Sequence, residues 1–492
     1  MRALSKSKLV SCRQCSKRMW LEIHHPELEV ETPQTKMSYA IGHAVGEIAQ
    51  QLYGEDGKAI LIEVDRQNFN EAFVKTQQSL SARAIIFEAG FKIEGALSFA
   101  DVLLPMGGQH ANQWRMVEVK SATSVKDYYH DDIAIQAFIA RQAGLELQAI
   151  ALAHVDNSWV YQGDGKYQGL LKEVDLTEIA FSRENEVKAW INEAQAIADK
   201  VDEPKIHTGK HCKEPFDCGF LAYCESQEPR AEFPANWLPR IQTKALKQAI
   251  SEMDVADLRE IDDSLLNEKQ LRVKQHSISG LTYFNADAAR TELAKYPLPA
   301  VFLDFETINM AIPLWKGTRP YQQIPFQLSA HRMDGNGKLE QEYFLDLTGQ
   351  DPSEGFVKAL IDVCGKEGPI FVYSGFENTQ IKALAERFPH HVDDLNAICA
   401  RLVDLLKIAQ EHYYHPCQQG SWSIKKILPT IAPELNYDNL EGVQDGGSAQ
   451  AAFMEAISPG TLVDRKKQIE KQLLDYCAMD TYAMVKLWQF FK

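Results

Sequence analysis

Pro299-Ala300-Val301-Phe302-Leu303-Asp304-Phe305-Glu306-Thr307 is an apolar run that closes on two carboxylates one residue apart, and its reading decides the fold of the second half of the chain. A short apolar run bounded by proline reads as a buried strand. Side chains two apart share a face, so Asp304 and Glu306 are expected to emerge together at its end. A second buried strand is expected at Pro369-Ile370-Phe371-Val372-Tyr373, with Glu377 following at its end. The stretch from Lys467 to Phe491 predicts a closing helix, on which the four-residue spacing of Tyr476 and Asp480 puts both on one face. Strands alternating with helices in this way predict an α/β architecture. Any one of these acids has a bland counterpart, since Asp-x-Glu and Tyr-x-x-x-Asp are common on ordinary strands and helices. Converging carboxylates nevertheless suit a pair of Mg²⁺ or Mn²⁺ ions. Such a pair supplies both needs of phosphodiester hydrolysis, a nucleophilic water and neutralised phosphate charge.

Working outward, Thr243 to Gln275 is charged, with Ile250, Met253, Leu258 and Ile261 as a sparse apolar face, and predicts a helical connector. Before it lies another α/β pattern: strands at Phe91 to Leu104, Trp114 to Ser121 and Ala149 to Tyr161, with a helix at Asp131 to Ala143. Domain bounds of 1–230, 231–297 and 298–492 follow. In the first half, Asp101 ends a polar-tolerant stretch, and Arg115-Met116-Val117-Glu118-Val119-Lys120 puts Glu118 and Lys120 on one strand face. Two carboxylates for a metal and a lysine for developing charge form a second hydrolytic set. An isolated Glu-x-Lys is more often a solvated strand face. Here the upstream Asp101 and Gln136, on the following helix, favour a site.

The order Asp101, Glu118-x-Lys120, helix-borne Gln136 resembles the PD-(D/E)XK nucleases of the RecB-like and CRISPR-associated exonuclease type, which have a restriction-endonuclease-like fold. That resemblance implies a cysteine-held 4Fe–4S cluster. Leu9-x5-Cys15-Ser16-Lys17-Arg18 is similar to the family's N-terminal element, and His211-Cys212-x5-Cys218-x5-Cys224 to its C-terminal trio. Four thiolates suit either a cubane or Zn²⁺; paired Cys-x-x-Cys knuckles typify zinc, and only Cys12-x-x-Cys15 has that form, so spacing favours iron–sulfur. The chain departs from the family in two places. Gly46 stands where an early metal-ligating histidine is usual, leaving His43 or Glu47 as substitutes, and Ala140 replaces the tyrosine of the Gln-x-x-x-Tyr helix.

Asp304-Phe305-Glu306, Tyr373-Ser374-Gly375-Phe376-Glu377 and Tyr476-Cys477-Ala478-Met479-Asp480 together resemble the three motifs of DEDD exonucleases, which have an RNase H-like fold and 3′→5′ polarity. The resemblance implies that Asp304, Glu306, Glu377 and Asp480 hold the metals and Tyr476 orients water. Glu377 replaces the usual Asp, and Asp404 is an acid that the family often has between its later motifs. His412-Tyr413-Tyr414-His415-Pro416 and Gly420-Ser421-Trp422-Ser423-Ile424-Lys425-Lys426 combine aromatics with cations, suited equally to gripping nucleic acid and to a packed turn. Over its whole length the chain is similar to a little-characterised bacterial family fusing these two nuclease types, notably at Asp304 to Ser329 and Arg401 to Pro429.

At 492 residues with 45% hydrophobic content the composition is that of a soluble globular chain of two or three domains. A net charge of −16 argues against a protein that coats nucleic acid by phosphate neutralisation, though not against a nuclease whose acids bind cations. No secretory signal or membrane-spanning run is read, so the expected compartment is the cytoplasm, where nine cysteines stay reduced. No Gly-x4-Gly-Lys-Ser/Thr is present, so unwinding would fall to a helicase in trans. The leading expectation is a nuclease acting on DNA in repair or in defence against foreign DNA. An Fe–S-stabilised nucleic-acid-binding scaffold with a degenerate centre, and an RNA-processing exonuclease, stand beside it.

Overall fold

The computed structural model describes residues 1–54, 57–65 and 68–492. It divides into two compact units, Met1–Glu228 with Met310–Gln322, and Pro229–Asn309 with Gln323–Lys492. Both are mixed α/β. The expected connector, 231–297, thus groups with the second unit, while 310–322 groups with the first. Among the described residues no helix is long and apolar enough to cross a membrane.

The first unit is built on a seven-stranded sheet. Its strands are β1 (Leu4–Ser5), β2 (Ile60–Leu61), β3 (Ile86–Ile93), β4 (Ala96–Pro105), β5 (Trp114–Lys120), β6 (Leu147–Val155) and β7 (Leu171–Asp175). The order is β2-β3-β4-β5-β6-β7, with β1 alongside β4. What reads as one strand from Phe91 to Leu104 is a hairpin, because Glu94-Gly95 makes a two-residue turn and Gly95 takes a φ of +88° that a side chain would strain. The parallel step from β5 to β6 is made through the helix Asp127–Gln142, whose residues Ile133 to Ala140 are all buried, between the sheet and neighbouring helices.

In the second unit a small ribbon pairs β8 (Tyr283–Phe284) with β14 (Tyr413–Tyr414). The main sheet comprises β9 (Ala300–Asn309), β10 (Gln323–Met333), β11 (Leu339–Leu345), β12 (Ile370–Val372) and β13 (Leu402–Asp404), in the order β11-β10-β9-β12-β13. Strand β9 does not stop at its acids: it continues to Asn309, held by antiparallel pairing with β10. Leu303 and Phe305 face a core with Phe356 and Leu360, whereas Phe302 packs on the other side with Phe371 and Trp488. Burial on both faces explains why the strand is apolar without alternation. The helix Val463–Phe491 lies across the Phe302 side, fixed where Gln327 Nε2 donates to Leu473 O at 2.8 Å and where Ser329 and His331 meet the Thr481 hydroxyl.

The segment Thr243 to Gln275 is not one continuous helix. Helices Lys244–Ser251 and Glu268–Ser279 flank two 3₁₀ turns, at which the Asp257 and Asp262 side chains accept from Arg259 N and Ser264 N. Aspartate's short side chain competes for nearby amides and breaks the helical ladder there.

Candidate metal centres

Strand β4 explains the first centre. One of its edges is paired with β3; the other is shared, β1 covering Ala96 and Leu97 and β5 covering Val102 to Pro105. In the gap between, side chains replace the ladder. Gln136 Nε2 donates to Phe99 O at 2.6 Å, and Asp101 Oδ2 accepts from the Val119 amide at 2.7 Å. Lys6, directly after β1, enters the same gap. Its Nζ stands 2.6 Å from Glu118 Oε1 and 3.1 Å from Asp132 Oδ1, while Lys120 Nζ stands 2.7 Å from Glu118 Oε1 and 2.6 Å from Asp132 Oδ2. Glu118 is 2% exposed, and its second oxygen, Oε2, has no partner.

Burial works against the charge on Glu118 and Asp132, but Lys120 and Lys6 outweigh it and hold both carboxyls below their usual range. Asp101, half-buried beside Glu118, is pushed well up by burial and by that neighbour's charge. The structure thus brings Asp101, Glu118 and Lys120 together. Gln136 is buried and binds the β4 backbone rather than a carboxylate. His43 is exposed and 3.4 Å from Glu47 on the helix Pro33–Tyr53.

Three further contributors lie outside the sequence motifs. Lys6 precedes Glu118 by 112 positions. Asp132 could have been flagged, because it lies one helical turn before Gln136. Glu88 falls opposite Asp101 in the β3–β4 register with a φ of +57°, and only the hairpin turn reveals that placement.

The second centre is denser. Asp304, Glu306 and Asp480 each present a carboxylate oxygen within 4.8 Å of the other two, and among the described residues no other group of three His, Cys, Asp or Glu converges so closely. Asp304 and Glu306 come from β9 and Asp480 from the long helix. Glu377 sits not at a strand end but in the first turn of the helix Phe376–Arg387, reached from β12 through Ser374, whose φ of 148° turns the chain sharply. It lies beside Asp304, and its Oε2 is buried without a partner.

Tyr437 OH donates to Asp480 Oδ1 at 2.5 Å, and Tyr476 stands close enough to lower the Asp480 carboxyl. Tyr437 was not singled out by any motif; its approach depends on the fold of 436–445. Lys425 Nζ lies 5.3 Å from the ring centres of both tyrosines.

Burial dominates the electrostatics. With Asp480 next to it, Glu306 is pushed up to about 8; burial raises Glu377 to about 7 and Asp480 to about 6, the last moderated by Tyr437 and Lys425. Asp304 rises well above the carboxylate range from burial and its three acidic neighbours. Asp404, half-buried, caps the helix Leu405–His412 by accepting from Leu406 N at 3.0 Å. Tyr413, Tyr414 and Trp422 are core residues, not an exposed stacking surface.

Cys15, Cys212, Cys218 and Cys224 line one cavity with Arg18 and Phe220. Cys12 lies outside that lining, against the first unit's apolar core. No three of the thiols come within 4.8 Å of one another.

A family model described as a domain of unknown function, DUF2779, matches residues 301–423. Asp304, Glu306, Glu377 and Asp404 fall inside that span. The chain is also 29% identical over 231 residues, 42% of its length, to the uncharacterized protein UU173 of Ureaplasma parvum serovar 3. The match covers 33% of that relative, so the chain spans about a third of its length.

Proposed function

We propose that this chain is a metal-dependent nuclease, with its principal hydrolytic centre at Asp304, Glu306, Glu377 and Asp480, acting on DNA from the 3′ end. The observation that carries this reading is the convergence of three carboxylates within 4.8 Å, beside a fourth whose Oε2 is buried without a partner. Buried acids that repel one another to this degree are stabilised by cations. Mg²⁺ or Mn²⁺ held there would supply an activated water and neutralise the scissile phosphate. The chain's own part is to fix the acids on β9 and two helices, and to hold the Tyr476 hydroxyl beside Asp480, where it can orient a nucleophile. The order of motifs on a mixed sheet supports an RNase H-like reading of the second unit, and Asp101, Glu118 and Lys120 on β4 and β5 support a PD-(D/E)XK reading of the first.

A specific observation favours a second reading for the first unit. Lys6 and Lys120 already neutralise Glu118 and Asp132, which leaves the centre without the surplus negative charge that draws a metal. On this reading it is a degenerate centre in a nucleic-acid-binding scaffold. The four-cysteine cavity is proposed to hold a 4Fe–4S cluster. Zinc at about 2.3 Å from each sulfur would place the thiolates within about 3.8 Å of one another, whereas a cubane holds them farther apart.

The test is cleavage of end-labelled single- and double-stranded DNA and RNA with Mg²⁺ or Mn²⁺, after anaerobic purification. Asp304→Asn is expected to lower cleavage by about 10³-fold, since loss of a metal ligand costs several kcal/mol of transition-state stabilisation. Undiminished cleavage in an Asp304→Asn, Glu118→Gln double variant would falsify the nuclease reading of both centres. The same preparation should be brown, absorbing broadly near about 400 nm, and Cys218→Ser should remove the colour and lower the melting temperature. Stoichiometric zinc without iron would replace the cluster assignment.

A further inference from the structure

Outside the second acidic centre lies a cleft of about 470 Å³, walled by Lys425, Pro429, Pro433, Leu435, Tyr437 and Asp445. Its volume falls in the range of roughly 300–1,000 Å³ that accommodates small organic ligands. Lys425 and Tyr437 belong both to the cleft and to the surroundings of the acids. Tyr437 turns its hydroxyl onto Asp480 and its ring toward Lys425. Lys425, in the first turn of the helix Ile424–Ile431, donates to Gln444 O and lies over the rings of Tyr437 and Tyr476. An ammonium has three donors, so one such bond leaves two for a ligand.

Resting on the nuclease reading of this centre, we infer that Lys425 is the phosphate-contacting residue for the terminal phosphodiester of a single strand, and that the cleft receives the terminal nucleotide.

A nucleic-acid backbone approaching four acids meets repulsion, and a fixed cation at the rim offsets it while donating to a non-bridging oxygen. Lys425 acts on the same carboxylates electrostatically, moderating Glu306 and Asp480. The walls suit a nucleotide. Pro429, Pro433 and Leu435 offer apolar surface against which a base can lie. Asn436 and Gln444, also in the lining, each spend one amide N–H, Asn436 Nδ2 on Asp438 Oδ2 at 3.2 Å and Gln444 Nε2 on Leu440 O at 2.8 Å, and keep the other.

The experiment uses the full chain carrying Asp304→Asn, so that binding is read without turnover. Affinity for a fluorescein-labelled oligodeoxythymidine is measured by anisotropy across a salt series, with Lys425→Gln and Lys425→Arg added in turn. Lys425→Gln is expected to weaken binding about tenfold, as loss of a charge-assisted hydrogen bond does. It is also expected to make the slope of log affinity against log salt shallower by about 0.7, the value of one single-strand phosphate contact. Lys425→Arg should restore the slope. A weakened affinity with an unchanged slope would overturn the inference, because it would mean that Lys425 only tethers Gln444. Equal affinity for an oligomer that lacks its 3′-terminal base would overturn the cleft as the seat of the terminal nucleotide. Failure of the nuclease reading is registered separately, by cleavage that survives Asp304→Asn combined with Glu118→Gln.

Discussion

The first centre surrounds its carboxylates with lysines, the second with phenols, and that difference sets how each stands toward a divalent cation. Lys6 and Lys120 bridge Glu118 and Asp132 in a closed square of ion pairs, and both acids are held below their usual range. In the second centre burial raises Asp304, Glu306, Glu377 and Asp480, acidic neighbours add to it at Asp304 and Glu306, and Lys425 lies over two tyrosine rings. Residues of one type therefore reach opposite electrostatic states. The lysines and carboxylates of the first pair off as ions, and the second gathers acids whose ionisation burial opposes and a bound cation would favour.

The largest effect expected from this contrast is on stability in the first unit. Glu118→Gln leaves two half-buried ammonium groups with Asp132 alone as partner, which costs roughly 1–3 kcal/mol. Calorimetry should show the first unit's unfolding moved down while cleavage by the second centre persists. If Glu118→Gln instead leaves stability intact and removes the cleavage remaining in an Asp304→Asn background, the first centre is catalytic and the contrast is broken.

Next in size is the phenol layer. Tyr476→Phe keeps the ring under Lys425 and removes only the hydroxyl, so turnover should drop by roughly 10², within the span of positioned proton-transfer groups. KM should barely move. A rise in KM at unchanged turnover would assign Tyr476 to substrate binding.

The smallest effect sharpens the comparison through pH. Glu306, Glu377 and Asp480 titrate at about 8, 7 and 6 in the folded metal-free protein, above their ordinary values of 4.5, 4.5 and 3.8. The folded state therefore binds protons more tightly than the unfolded one. That stability is fully present near pH 4 and is lost as pH rises toward 8. Glu118 and Asp132 run the other way: their contribution is present above the ordinary carboxylate range and is lost as pH falls. Mn²⁺ added to chelator-treated protein should accordingly raise the second unit's melting temperature more at pH 8 than at pH 5. Each kcal/mol gained is worth roughly 2–4 °C in a unit of this size. Equal shifts at both pH values would show that the acids are not the ligands.

Much of this arrangement is local enough to be read from the chain. The apolar run Ala300–Leu303 specifies a strand, the spacing of Asp304 and Glu306 gives them one face, and Tyr476 and Asp480 share a face of one helix because both periods are properties of the backbone. Trp114–Lys120 and the helix Asp127–Gln142 were legible for the same reason. Sequence periodicity carries no information about which elements meet, and every surprise lies there. The bend at Ser374 puts Glu377 on a helix; the turn at Gly95 aligns Glu88 with Asp101; the short pairing of β1 with β4 delivers Lys6 to Glu118. Residue type and period, then, were determined by the sequence alone. The charge state of each centre was decided only by tertiary structure, because a carboxylate's ionisation depends on burial and on neighbours within a few ångströms, and those neighbours arrive from distant parts of the chain.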